Sequence, residues 1–318
     1  MERQVNIIFL ILAHSQARTV VKLTENLVRG GRSNHVAIHY DANSPFHDFS
    51  FIKRQMRPVE RVHLVDNRIK CHWGSFSLVE AVIASLEEIQ TCIGLQSYDY
   101  VFLLSEACLP NRSLKQLYRY LLENKGAQFI EVADQNWIED GLRSERYEFY
   151  FPFSPSKNNS FLQKNLIRFQ KLCGVKRNVP QGLDIRFGSQ WWALTGEMCG
   201  SIVDYLRNNP ELVSFFKRTY IPDEMVFPTL VNYLDKTQSI TGFNLTDYRF
   251  DEVGKPIVYG NSDVDEVMNL KSFFFRKASP DAEILREACF AAALSDDDGR
   301  DLGAISFLKA NFYIPGDS

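Results

Sequence analysis

Two carboxylates stand side by side behind a proline in Pro222-Asp223-Glu224, at the predicted start of a helix over 223–234. A carboxylate fixed in a pocket can take a proton from a hydroxyl, with an affinity set by its surroundings. The same residues can equally cap the helix and offset its dipole, worth about 0.5–1 kcal/mol. Spacing does not separate the two readings. Two cations close the aromatic run Phe273-Phe274-Phe275-Arg276-Lys277. There they could neutralise phosphate oxygens or simply carry a strand end into solvent. Lys255, beside Pro256, is a weaker candidate of the same kind.

Other chemistry is missing. The chain has no G-x-x-x-x-G-K-[ST], no G-x-G-x-x-G and no G-x-S-x-G, so the common phosphate-cradling loops and the hydrolase elbow are absent. All six histidines precede residue 73. His35 and His39 are spaced as zinc ligands would be on a helix, but they straddle a predicted strand, so they would not converge. Many nucleotide-sugar transferases carry Asp-x-Asp after a central strand to hold a divalent metal. Here that place reads Ser105-Glu106-Ala107-Cys108-Leu109-Pro110. Asp263-x-Asp265 opens a late predicted helix, where acidic caps are ordinary, and Asp296-Asp297-Asp298 sits in a polar tail. No metal site is expected, so any bound diphosphate would rely on Arg and Lys.

These residues need a scaffold. Ile7–Ala13 is a continuous apolar run, the kind buried on both faces of a parallel sheet. Helical spacing follows over 16–28, with Ser15 as a candidate cap. Strands are predicted over 36–40, 62–65, 100–104 and 128–132, and helices over 77–93 and 113–122. That alternation predicts a mostly parallel α/β sheet flanked by helices. The second half is less regular. An aromatic loop or edge strand is expected over 145–153, helices over 161–172, 197–206 and 280–294, and strands over 187–194, 257–259 and 273–275. No repeat or linker divides the chain, so a single domain over 1–295 with a solvated tail over 296–318 is expected.

Composition bounds the rest. The 318 residues are 45% hydrophobic and carry 36 Lys+Arg against 39 Asp+Glu, which leaves no electrostatic footprint for nucleic acid. A chain this long buries enough surface to need no staple. The six cysteines form no C-x-x-C pair and read as reduced thiols. Three sequons, at Asn111, Asn158 and Asn244, do not by themselves imply secretion. The first apolar run is far shorter than the ~20 residues of a membrane span. A cytoplasmic protein is expected, with peripheral association at the inner face of a membrane compatible with its chemistry.

Taken in order, the segments resemble the core-2/I-branching glycosyltransferases (glycosyltransferase family fourteen), which include β-1,6-N-acetylglucosaminyltransferases and peptide O-xylosyltransferases. The resemblance is carried by Ile7–Ala13 with His14, Ala37-Ile38-His39-Tyr40-Asp41, His72-Trp73-Gly74-Ser75 and Tyr98-Asp99-Tyr100-Val101-Phe102-Leu103-Leu104-Ser105. It continues through Phe187-Gly188-Ser189-Gln190-Trp191-Trp192, Pro222-Asp223-Glu224 and Phe275-Arg276-Lys277, and covers about residues 5–280. It implies a GT-A-like α/β fold and an inverting, metal-independent transfer from a UDP-sugar to a glycan hydroxyl. UDP-N-acetylglucosamine is the expected donor, with no further cofactor. Glu224 matches the family's catalytic base, and Asp223 precedes it. Lys277, with Arg276 beside it, matches the cation on the diphosphate, and Lys255 lies near a second basic position.

His14 and Asp41 match the nucleotide-side motifs. Gly188, Ser189 and Trp191 match the donor and acceptor pocket, and Trp73 and Ser75 match the loop before the first long helix. Sugar rings pack their C–H faces on aromatic surfaces, so 147–153 and Trp191-Trp192 gain a role, with Tyr147 and Trp191 expected to be open to sugar. Arg146 would orient an acceptor or pair with Glu145 or Glu148. Two departures stand out. Many members read S-G-x-D-x-P where this chain has S-E-A-C-L-P, a form closer to a divergent plant-type branch. Animal members also carry an amino-terminal anchor that this sequence lacks, which points to a bacterial-type member. A xylosyl- or galactosyltransferase, or a non-catalytic carbohydrate-binding protein, are the alternatives.

Overall fold

In the computed structural model, which describes residues 5–133, 144–151, 160–252 and 254–296, the apolar run Ile7–Ala13 forms β1. Helix α1 (Ala17–Arg29) follows, burying Val20, Leu23 and Leu27. Its cap position is Gln16, in a left-handed conformation without a side-chain bond. Ser15, the expected cap, donates its hydroxyl to Glu106 Oε1 at 3.1 Å instead. Next come β2 (His35–Tyr40), α2 (Phe46–Met56), β3 (Val62–Leu64), α3 (Ser77–Cys92) and β4 (Tyr100–Ser105). The two-residue strand β5 (Leu109–Pro110) leads to α4 (Leu114–Glu123), which Ser113 caps by accepting from Lys115 N–H.

The second half adds α5 (Glu145–Glu148), α6 (Ser160–Leu172), β6 (Ala193–Thr195), α7 (Gly196–Asn208) and α8 (Pro210–Phe216). A single 3-10 turn, Pro222–Glu224, precedes α9 (Val226–Leu234). The chain continues through β7 (Thr246–Tyr248), α10 (Val264–Met268), β8 (Phe274–Arg276) and α11 (Glu283–Leu294). The expected helix over 223–234 is therefore divided just after Glu224. The expected strand over 128–132 survives only as single bridges, such as Phe129 to Ala193. The indole-rich stretch 187–194 contributes to the sheet only from Ala193 onward. Pro155, Asn158 and the end of the 147–153 segment, like the tail from 297, lie outside the described residues.

The main sheet has the order β3-β2-β1-β4-β6. β1 pairs in parallel with β2 on one side and β4 on the other. That pairing explains its unbroken apolar sequence. β6 runs antiparallel to β4, so the fold is the mixed, mostly parallel sheet flanked by helices that was expected. A smaller sheet, β5-β8-β7, lies beside it. Phe274 of β8 closes on Phe9 and Phe102 of the main sheet, with ring centroids 5.9 and 4.9 Å away. Such tilted pairs add about 0.5–1.5 kcal/mol each beyond the area they bury, and most of the aromatic load is this kind of core. Among the described residues, no helix is long and apolar enough to cross a membrane.

Candidate functional site

From β1 the chain passes to β2 on one side, while β4 lies on the other. In open α/β sheets, ligands bind outside the carboxyl ends of the strands at such a reversal. Here those ends carry His14 after β1, Asp41 after β2 and Glu106 after β4. His14 Nδ1 lies 2.7 Å from Glu106 Oε1, and the same oxygen accepts from the His14 backbone N–H at 3.3 Å. Glu106 is 4% exposed and the imidazole 71%. The hydrogen bond to Glu106 raises the His14 pKa against its burial, Asp41 raises it further and Lys277 opposes. Burial pushes the Glu106 carboxyl up, but His14 together with backbone N–H groups more than offsets this and holds it below the usual range. Asp41 is buried, and its Oδ1 accepts from the N–H groups of Asn43 and Cys71.

Above this edge lies the end of β8. The Arg276 guanidinium stacks 4.2 Å from the Trp191 ring, within electrostatic reach of Cys108, Glu106 and Tyr248. Lys277 feels burial first, then the repulsion of Arg276, both lowering its pKa, while Glu106 pulls it back up. The segment is fixed by backbone bonds on both sides. Lys277 C=O accepts from Tyr259 N–H at 2.8 Å, and Ala278 N–H donates to Ala107 C=O at 2.9 Å. Trp191, expected to be open, is 6% exposed beneath Arg276. Its π-face is occupied by a cation, which corrects that expectation. Lys255 is exposed on a turn where its backbone N–H donates to Asp251 Oδ1; no contact ties it to Arg276 or Lys277.

The carboxylates occupy a strained turn. Ile221 has φ of 50°, a left-handed conformation that costs a β-branched residue about 1–3 kcal/mol and persists only where neighbours impose it. Its N–H donates to Gly74 C=O at 3.0 Å, and its C=O accepts from Arg146 Nη2 at 2.9 Å. The same Nη2 lies 2.9 Å from Glu224 Oε2. Arg146 is thus tied to the base candidate rather than to Glu145 or Glu148, which pair with Lys171 and Lys176. Asp223 is buried, and burial together with the Glu224 charge raises its pKa. The bond to Gly74 brings the loop of Trp73 and Ser75 against this turn. Trp73 is 62% exposed, whereas the Ser75 hydroxyl donates to His72 C=O within the loop. Tyr147 is half-buried, its ring centroid 6.2 Å from that of Phe187.

Glu131 joins the two sides. Its Oε2 accepts from Tyr248 Oη at 2.6 Å and from Ser189 N–H at 3.2 Å, and its Oε1 accepts from Asn244 Nδ2 at 2.8 Å. Burial, with the Glu224 charge adding to it, pushes Glu131 up to about 7 despite these bonds. Gly188 lies against it. A Cβ there would sit 2.0 Å from the Glu131 carbonyl oxygen, and the Gly188 N–H donates to Glu224 C=O at 2.9 Å. Only glycine allows that approach. The Ser189 hydroxyl accepts from Trp191 N–H.

Glu106, Glu131, Asn244 and Tyr248 belong to the site although neither motif nor spacing gave them a role in it. A charge at the end of an apolar stretch, as in Phe129-Ile130-Glu131, was the available signal, because a buried carboxylate needs partners. Among the described residues, no three His, Cys, Asp or Glu side chains converge to hold a metal ion. Asp263 caps its own turn, accepting from Gly260 N–H at 2.6 Å. The arrangement can therefore offer a carboxylate on one side and two or three cations about an anion on the other.

A family model described as Core-2/I-Branching enzyme matches residues 7–263. Among curated proteins, the chain is 25% identical over 261 residues to the xylosyltransferase oxt of Drosophila melanogaster, covering 76% of this chain and 27% of that one. It is 22% identical to the xylosyltransferase sqv-6 of Caenorhabditis briggsae, covering 62% and 23%. The chain thus spans about a quarter of the length of these relatives. A crystal structure of the galactosyltransferase LgtC with donor and acceptor sugar analogues aligns over 91% of this chain and 84% of that one, at a TM-score of 0.36 and 11% identity.

Proposed function

The chain belongs to the core-2/I-branching enzyme family of glycosyltransferases, and on that premise we propose that it moves one sugar from a UDP-sugar to a glycan hydroxyl, with inversion and without a metal. The observation that carries this reading is the Glu224 carboxylate, clamped by Arg146 on a strained turn and within electrostatic reach of Glu131, whose partner Tyr248 lies within electrostatic reach of Arg276. Site residues come from both ends of the chain, which supports reading residues 1–295 as one glycosyltransferase domain.

In this mechanism Glu224 takes the proton of the acceptor hydroxyl as its oxygen attacks the anomeric carbon. The bond from that carbon to the diphosphate breaks on the opposite face, and UDP leaves with its new negative charge. Lys277 and Arg276 stabilise that charge. Cations already in place act most strongly in a water-poor pocket because nothing must reorganise. Trp73, exposed beside the carboxylate turn, offers a face for an acceptor ring.

The donor is proposed to be UDP-N-acetylglucosamine. The xylosyltransferase names of the relatives favour UDP-xylose as the second candidate. The test is release of UDP from a panel of UDP-sugars with a glycan acceptor, with and without chelator, for wild type and Glu224→Gln. Transfer that survives chelation and falls by about 10²–10⁴ in the variant, with donor binding retained, is expected. Full activity of Glu224→Gln would remove the base assignment, and loss with chelator would remove the metal-free mechanism.

A further inference from the structure

We infer that His14, gripped by Glu106, is a proton-gated contact for the donor's diphosphate: its imidazolium hydrogen-bonds a phosphate oxygen and its neutral form does not. This deepens the nucleotide-sugar reading above and rests on it.

Three observations converge. First, His14 follows β1 at the reversal of strand order, flanked by Asp41 after β2 and Glu106 after β4, where a ligand of this sheet would sit. Second, its tautomer is set. Glu106 Oε1 receives Nδ1 of His14, the His14 backbone N–H and the Ser15 hydroxyl. An oxygen with three donors is an acceptor, so Nδ1 carries the hydrogen. Nε2 has no partner among the described residues, and the ring is 71% exposed. Third, the other basic candidate, Lys255, is held on an exposed turn by its own backbone, which leaves room for another cation beside Lys277 and Arg276.

The consequence is a switch at one nitrogen. With Nδ1–H on Glu106, neutral His14 presents a lone pair at Nε2 and repels phosphate. The protonated ring presents N–H and a positive charge. Glu106 from β4 and Asp41 from β2 favour the proton, whereas Lys277 from β8 opposes it. The Ser44 hydroxyl, donating to His14 C=O at 2.6 Å, fixes the backbone without adding charge. A bound diphosphate adds negative charge to the side that favours the proton. By linkage, donor binding then takes up a proton. Glu106 acts through His14 and is a positioning residue.

The experiment is calorimetric titration of the full chain with UDP-N-acetylglucosamine and with UDP-xylose across about pH 5.5–9, the range a perturbed imidazole spans. Two buffers of different ionisation enthalpy report proton uptake. The diphosphate of a sugar nucleotide has no titrating proton in that range and the uracil N3–H ionises only toward its upper end, so uptake below about pH 8 belongs to the protein. Expected are uptake of up to one proton and an affinity that falls by up to about tenfold per pH unit above the His14 pKa. His14→Gln should bind weakly with a flat profile. Glu106→Gln should move the fall to lower pH, and Lys277→Ala should weaken binding at every pH but keep the slope. An NMR titration of the His14 ring in the free protein, with near-UV dichroism as a folding check, reads the same switch without any variant. A pH-independent wild-type affinity, or an unchanged profile in His14→Gln, overturns the inference and leaves the transferase reading intact. Failure of both sugar nucleotides to bind at any pH overturns the two together.

Discussion

Arg146 Nη2 lies 2.9 Å from Glu224 Oε2, and the same guanidinium donates to the carbonyls of Tyr220 and Ile221. One side chain therefore holds both the carboxylate and the backbone turn that presents it. Arg146→Lys keeps the charge and loses the fork. Because small misplacement of a reacting group can cost about a hundredfold, kcat should fall about 10–100-fold while the KM for donor stays near wild type. Steady-state kinetics with the donor varied checks this, and the thermal midpoint should drop by a few degrees as charged hydrogen bonds are lost.

Glu131 makes stability depend on pH. Its carboxyl is raised from 4.5 to about 7, chiefly by burial. The unfolded chain releases this proton near 4.5, whereas the folded chain holds it until about 7. More protons are bound in the folded state, so this group's contribution to stability falls as pH rises through that window and is constant above it. Glu131→Gln should flatten the decline, by about 1–3 kcal/mol across the window. Urea midpoints measured from pH 4.5 to about 7 for both proteins test it; parallel curves would contradict it.

Two glycines give opposite predictions. At Gly188 a Cβ would meet the Glu131 carbonyl oxygen at 2.0 Å and Pro228 Cγ at 2.9 Å, while at Gly200 within α7 it would meet nothing within 4 Å. Gly188→Ala must push the pocket segment away from Glu224, with a cost of about 1–3 kcal/mol and about a hundredfold in transfer. Gly200→Ala should instead stabilise α7 by about 0.5–1 kcal/mol and leave transfer unchanged. Thermal midpoints and turnover of the pair read both effects.

Trp73 is exposed, and its loop is tied to the carboxylate turn by the bond from Ile221 N–H to Gly74 C=O. Trp73→Ala should leave the thermal midpoint unchanged and raise the KM for acceptor about fivefold, the equivalent of about 1 kcal/mol of ring contact. An unchanged acceptor KM would assign the ring no part in acceptor binding.

Much of the scaffold was legible because its signals are local. Ile7–Ala13 is apolar throughout and Tyr100–Ser105 is apolar or aromatic up to Leu104, since each is buried along its length, and α3 announces itself by the spacing of Ala81, Val82, Leu86 and Ile89. Helix α2 escaped because it buries only Phe49, Ile52 and Met56, too sparse a stripe among its charges. The stretch before β6 looked like strand from its aromatics, yet Gly188 turns it toward Glu131; Phe187 makes a single bridge to Ala133, and the strand proper is Ala193–Thr195. Within the site, Asp223, Glu224, Arg276 and Lys277 could be singled out by residue type and position. Their pairings could not, even where both members were named. Arg146 finds Glu224 across 78 positions, and no spacing rule spans such a distance. Glu106 was weighed only as a lost metal ligand, although its neighbour in space is the histidine that ends β1.

The small sheet has a temporal meaning. β8 pairs with β5, which follows β4 by only a short turn, and β7 completes the sheet. Acidic Glu106 and cationic Arg276 and Lys277 therefore share one face but leave the ribosome roughly 170 residues apart. At ordinary synthesis rates that interval is about ten to thirty seconds. A nascent chain can have β1, β2 and β4 in register while the strand ends carrying Asp41 and Glu106 still lack Arg276 and Lys277. On the function proposed above, the cations for a diphosphate arrive only with β8, so a product that stops before Phe274 would keep much of the main sheet and is expected not to hold a sugar nucleotide.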